Sequence, residues 1–222
     1  MKNNSQPTED EVKKGQAVYS KLLLKIYDFY VVVISNSYFW KCPRRHLLQL
    51  FQDNITSNHL DVGVGTGYFL KNSNFPNKTR LVLMDLNQNS LDTAAENTKH
   101  LHPKIINHNV FDPLNSPIEN FDSISMNYLL HCMPGTMEQK GIVFKNLASK
   151  LNPEGIIFGS TILNTANYGN FFAKKLMSIY NKKGIFSNHE DSVETIETQL
   201  KENFTSFKMC IIGHVCLFTA IK

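Results

Sequence analysis

Asp61, Gly63, Gly65, Gly67 and Asp85 are the residues of this chain whose types and spacing most directly imply chemistry. Glycines at alternate positions, in the run Asp61-Val-Gly63-Val-Gly65-Thr66-Gly67, let a backbone turn tightly and close on a ligand that side chains would hold away. Ahead of them Leu60 to Val62 is an apolar run broken only by Asp61, and after them a helix can run from about Thr66 to Lys71. A buried strand feeding a glycine-rich turn and a helix is the nucleotide-binding corner of an α/β sheet. Asp85 ends a second apolar run, Arg80 to Leu86, roughly 20 residues beyond the loop, where a carboxylate meets ribose hydroxyls. It can accept charge-assisted bonds from both vicinal hydroxyls. Its other use would be to cap the helix expected over Asn87 to Lys99. Asp61 would sit below the loop and accept from its amides or from a ligand's ammonium, because a buried carboxylate without partners is costly.

The glycine spacing is G-x-G-x-G, with Tyr68 where a dinucleotide-type third glycine would stand. It resembles the first motif of class I S-adenosylmethionine-dependent methyltransferases of the small-molecule type, and further motifs follow in the right order from about Leu47 to the C-terminus. The resemblance implies S-adenosyl-L-methionine as cofactor, held by Asp61, Gly63, Gly65, Thr66, Gly67, Asp85, Leu86, Asn109, Val110 and Asn127. Asn109, where many relatives carry Asp, and the backbone of Val110 would lie beside the adenine. The loop after the fourth strand, Tyr128-Leu-Leu-His131, would face both the cofactor's sulfur and the acceptor. Met126-Asn127-Tyr128-Leu129 departs from the Asn-Pro-Pro-Tyr motif of methyltransferases that modify adenine, cytosine or glutamine amino groups. His131 could act as a general base on a hydroxyl or thiol, or could simply orient the loop. Tyr27, Tyr30, Trp40, Tyr128, His131, Tyr168 and Phe172 are the candidates for the acceptor pocket. An oxidoreductase using NAD would share the strand, glycines and Asp85 but needs the missing third glycine. A non-catalytic adenosyl-binding protein would differ only in lacking an acceptor pocket. The acceptor atom, oxygen, nitrogen, sulfur or carbon, stays open at this point.

The elements that must position these residues are legible as well. Of 222 residues, 42% are hydrophobic and 19% charged, ordinary for one globular domain and too apolar for disorder. The net charge of +4 is spread over lysine and arginine pairs rather than runs, so no nucleic-acid partner is expected. Cys42, Cys132, Cys210 and Cys216 lack metal or disulfide spacing, the polar start is no secretory signal, and no run approaches the ~20 apolar residues of a membrane helix. A cytoplasmic protein without metal or membrane contact is therefore expected. Helical periodicity from Gln16 to Ile34 precedes the sheet and, by the family resemblance, would form a lid (residues 1–42) over a core (43–222). The aromatic cluster Tyr19, Tyr27, Tyr30, Tyr38, Phe39 and Trp40 suits a core or a cap stacking on a flat or cationic substrate. Further strands are predicted at Lys104 to Asn109, Phe121 to Asn127 and Ile156 to Ile162, the last entered through an Asn152-Pro-Glu-Gly155 turn. Helices are predicted at Thr136 to Leu151 and Asp191 to Asn203, then a hairpin, Phe204 to Ile212 and Val215 to Ile221, about Gly213-His214. The fold class is a Rossmann-like α/β three-layer sandwich: a mostly parallel seven-stranded sheet with a C-terminal antiparallel hairpin and an N-terminal helical cap.

Overall fold

Successive residues of a strand point to opposite faces of its sheet, and here both faces are covered, which is why the central strands read as unbroken apolar runs. In β2 (Arg80–Asp85), Val82 and Met84 enter one core cluster, whereas Leu81 and Leu83 enter another. The computed structural model describes residues 39–114, 118–164 and 171–222. Tyr27, Tyr30 and Tyr168 lie outside the described residues, as do most of the expected lid and the side chain of Phe172.

The sheet has seven strands in the order β3-β2-β1-β4-β5-β7-β6. Besides β2 these are β1 (Asn58–Val62), β3 (Lys104–Asn107), β4 (Phe121–Asn127), β5 (Leu151–Ile162), β6 (Ser206–Ile212) and β7 (Val215–Ile221). The strands β1 to β5 pair in parallel, and β7 runs antiparallel to both β5 and β6. Chain order reverses between β1 and β4, which opens a crevice at their C-terminal ends. On one face lie α4 (Met137–Ala148) and α6 (Val193–Asn203), whose Phe144, Leu147, Ile196 and Leu200 pack with Ile124, Met126 and Phe218. The other face carries α1 (Arg44–Asn54), α2 (Tyr68–Lys71) and α3 (Gln88–Asn97), with Phe51, Leu70, Leu91 and Ala94 against Leu83 and Phe158. Ala173 and Met177 of α5 (Phe171–Lys182) join Trp40, Phe186, Val215 and Leu217 in a third cluster. Among the described residues no helix is long and apolar enough to cross a membrane.

Some boundaries differ from those expected. The third strand stops at Asn107 rather than Asn109, because Asn109 turns its side-chain oxygen onto the Phe111 N–H at 3.2 Å and its carbonyl onto the Asp112 N–H at 2.9 Å. The fifth strand starts at Leu151, with the predicted turn folded into it as a bulge. Leu151 pairs with Phe121, yet Ile156 pairs with Ser123, and Glu154 takes a left-handed φ of 61° between them. The helix after the glycines is only one turn long, Tyr68–Lys71.

Gly159, in the middle of β5, has no room for a side chain. An added Cβ would abut the Met126 carbonyl oxygen and come within 2.9 Å of Phe218 Cζ. Gly159→Ala is expected to lower stability by about 1–3 kcal/mol through overpacking, read as a lower urea midpoint. An unchanged midpoint would show that β4 and β5 separate freely there.

Candidate functional site

The glycines of the loop after β1 do three different jobs. All are left-handed, at φ 70°, 53° and 73° for Gly63, Gly65 and Gly67, a region open to glycine at no steric cost. A Cβ on Gly63 would come within 2.8 Å of Leu129, and one on Gly67 within 3.0 Å of the Ala94 backbone, so these two let loop, helix and neighbouring loop close up. A Cβ on Gly65 would meet nothing within 4 Å. That open face belongs to a cavity of about 210 Å³ in the crevice, lined by Asp61, Gly63, Gly65 and Thr66 from the first strand and its loop. Gly67 does not line it, and its part is packing.

Asp61 stands at the end of a buried hydrogen-bond chain. Thr56 N–H reaches Ser123 Oγ at 3.0 Å, Ser123 Oγ lies 2.7 Å from His59 Nδ1, and His59 Nε2 lies 3.0 Å from Ser125 Oγ. Ser125 then donates to Asp61 Oδ1. Because Ser125 spends its proton on Asp61, His59 must donate from Nε2, and the chain points its donors toward the carboxylate. Burial pushes the Asp61 carboxyl up to about 7, against the Ser125 bond that favours the charge; the Asp85 charge raises it further. Burial likewise pushes His59 down to about 3, so the imidazole is neutral.

Asp85 and Leu86 line the cavity where β2 ends. The carboxylate accepts from Asn87 N–H at 2.8 Å, while the N-cap of α3 is Asn87, whose Oδ1 accepts from the Asn89 and Ser90 amides. The capping role open to Asp85 is therefore taken by its neighbour. Burial raises the Asp85 pKa, opposed by the amides of Asn87, Gly65, Leu86 and Val64. Asn109, Val110 and Phe111 form the next wall. The carbonyls of Val110 and Phe111 are held by Asn146 Nδ2 of α4 at 3.1 and 3.0 Å, an anchor that no periodicity in the sequence announces.

Asn127, Tyr128, Leu129, His131, Cys132, Met133 and Pro134, with Ile162 of β5, complete the cavity. Tyr128 sits at φ 55°, an uncommon value for a bulky residue and one that turns the chain sharply out of β4. Asn127 is buried; its Oδ1 accepts from Ser160 Oγ at 2.9 Å. Its Nδ2 and Thr66 Oγ1 are buried without a hydrogen-bond partner among the described residues. His131 is 2% exposed. The Ile162 N–H lies 3.3 Å from its Nδ1, with Thr161 Oγ1 also at 3.3 Å, and the Ser187 N–H donates to its carbonyl at 2.8 Å. Burial, aided by the Lys140 ammonium, lowers the His131 pKa to about 3.

Trp40, expected at the acceptor, is instead fully buried, 5.9 Å from the Phe186 ring and 6.0 Å from His214, and is not among the cavity residues. Its carbonyl accepts the His214 N–H at 2.8 Å, which ties the start of the core to the C-terminal hairpin. Its size and flatness made it equally suited to a core, and the hairpin supplied one.

The residues fit an adenosyl ligand with an amino-acid tail. Gly65 leaves space where a side chain would stand, Asp85 offers a carboxylate that can accept from vicinal hydroxyls, and Val110 and Phe111 add apolar surface beside it. Comparison with known proteins agrees. Residues 60–157 match a family model described as a methyltransferase domain. The chain is 40% identical over 220 residues to the physcion biosynthesis cluster O-methyltransferase of Aspergillus chevalieri, covering 97% of this chain and 96% of that one. It is 35% identical over 213 residues to demethylluteothin O-methyltransferase of Streptomyces thioluteus, covering 96% and 93%. Among solved structures, one described as the DhpI–SAH complex is similar in fold, with TM-score 0.66 and 15% identity, over 97% of this chain and 98% of that one.

Proposed function

The chain belongs to the class I S-adenosylmethionine-dependent methyltransferases, and we propose that it methylates a hydroxyl oxygen of a small-molecule acceptor. The observation that carries this reading is one cavity lined by the glycine loop, Asp85 and the loop 127–134, which supports a donor and an acceptor lying side by side. Oxygen as the acceptor atom is favoured by the relatives named as O-methyltransferases. S-adenosylmethionine, when bound, supplies a methyl group on a sulfonium that leaves as a neutral thioether. The protein's contribution is chiefly alignment, which is worth up to about 7–11 kcal/mol when reacting atoms are held in line. In this reading Gly65 and Thr66 receive the amino-acid tail, Asp85 the ribose, and Leu86, Asn109 and Val110 the adenine. Asp61, fixed by Ser125, balances positive charge on the donor. Tyr128 and His131 face the acceptor. Residues 1–42 serve as lid and 43–222 as core of one domain, with Tyr27, Tyr30, Tyr168 and Phe172 as acceptor contacts, in a cytoplasmic setting.

Calorimetry provides the test. S-adenosylhomocysteine is expected to bind and NAD to bind more weakly or not at all. Tighter binding of NAD would favour an oxidoreductase and sink the proposal.

A further inference from the structure

The donor and acceptor ends of the cavity differ in the chemistry they offer. Its carboxylates, Asp61 and Asp85, stand at the ends of β1 and β2, and none occurs among the lining residues 127–134 or at Ile162. What that end offers is N–H. The Ser160 hydroxyl donates to Asn127 Oδ1 and so fixes the amide, leaving Nδ2 as a buried donor without a partner among the described residues. Such a donor is costly to leave unsatisfied and marks a place where a ligand oxygen belongs. His131 presents a second donor: with Nδ1 facing the Ile162 N–H, the neutral ring carries its proton on Nε2. Asn127 is held opposite Ser160 and His131 against Ile162, positions on the same side of β5 separated by about 6.6 Å of strand. Burial keeps His131 neutral, aided by the Lys140 ammonium, which is paired with Asp191. The rings of Phe186 at 4.6 Å and Tyr128 at 5.6 Å, with Cys132 beside it in the loop, pack around it.

A neutral hydroxyl bound here would find donors and, among the described residues at this end, no carboxylate to take its proton. A neutral amine would lose its lone pair to those donors, and an ammonium would be repelled by them. An oxyanion satisfies both. Resting on the methyltransferase reading above, we propose that the acceptor binds already ionised, as the conjugate base of an acidic enol or phenol, with Asn127 Nδ2 and His131 Nε2 donating to its oxygen. His131 is then a hydrogen-bond donor to substrate and not a general base, and methyl transfer to the anion needs no proton acceptor from the protein.

The probe is 4-nitrophenol, whose phenolate absorbs visible light, titrated against pH with protein loaded with S-adenosylhomocysteine. The bound phenol should show a pKa lowered by about one unit or more, a tenfold preference for the anion. Asn127→Ala and His131→Ala should each reduce that shift, and His131→Gln, which keeps an N–H donor, should restore part of it. Asn127→Asp is close in shape, keeps the fold testable, and should cancel or reverse the shift. A bound pKa that is unchanged or raised, or 4-nitrophenol that does not bind while S-adenosylhomocysteine does, overturns the proposal and leaves the methyltransferase reading standing. Loss of S-adenosylhomocysteine binding in the unsubstituted protein would instead overturn that reading. A rising limb in the pH–rate profile that disappears in His131→Ala would restore the base role and also overturn the proposal.

Discussion

Asp85→Ala is expected to weaken S-adenosylhomocysteine binding by about 1.5–3 kcal/mol, the range for losing hydrogen bonds to a charged group, or roughly ten- to a hundredfold in Kd. The size is that of the ribose hydrogen bonds alone, since the amides of Asn87, Gly65, Leu86 and Val64 already hold the carboxylate in place. Asn87 caps α3, so removing Asp85 leaves the helix start intact. The Asn87 N–H also donates to the carboxylate, at 2.8 Å in a part-buried position. Calorimetry on Asp85→Ala and Asp85→Asn separates the charge from the hydrogen bonds. Unchanged affinity with a lower melting temperature would mean that the carboxylate only braces the glycine-loop amides.

Asp191→Ala should cost the fold about 3–5 kcal/mol, the penalty for stranding a buried charge. Lys140 Nζ lies 3.0 and 2.9 Å from the two Asp191 oxygens and 2.7 Å from the Ser187 carbonyl, and both side chains are 0% exposed. Burial works against both charges: it lowers the Lys140 pKa and pushes the Asp191 carboxyl up to about 6 despite the attraction between them. The pair therefore fixes geometry more than it stabilises. Lys140→Met with Asp191→Leu should accordingly lose less than Asp191→Ala alone, since no charge is left behind. Urea midpoints decide this, and additive losses would refute it. The geometry in question is that of segment 185–191, whose Ser187 N–H holds the His131 carbonyl.

The glycine loop and the central strands were readable because each obeys a local rule. A backbone that must turn left-handed takes glycine, and a strand buried on both faces is apolar throughout. The terminal hairpin was readable from Gly213-His214 between two apolar runs. Trp40 was not, because a flat aromatic near a cavity and one in a core look alike in sequence. His59 was passed over for a similar reason. Its partners Ser123 and Ser125 lie more than 60 positions away and meet it only through the β1–β4 register. Asp191 was legible only as the first residue of a predicted helix, where it or Ser192 could cap the helix start. Ser192 takes that role, accepting from Thr195 N–H at 3.3 Å, which leaves Asp191 to Lys140, a partner that only tertiary packing supplies.

The separation of carboxylates from N–H donors gives the cavity a built-in field. In the proposed complex the carboxyl groups of Asp61 and Asp85 lie under the donor, whose sulfonium favours their charged forms, and the N–H groups of Asn127 and His131 make the opposite rim positive. Moving a methyl cation from sulfur toward that rim onto a neutral acceptor would carry positive charge uphill in this field. Moving it onto an anion crosses the same field, but here that field also holds the anion at the rim and the sulfonium over the floor beforehand, so it aligns the two charges that transfer cancels. Walls of Val62, Met84, Val110, Leu129 and Met133 solvate separated charges poorly, so they favour the collapsed, neutral pair. The dipoles thus bind and align the separated charges, and the apolar medium drives their collapse.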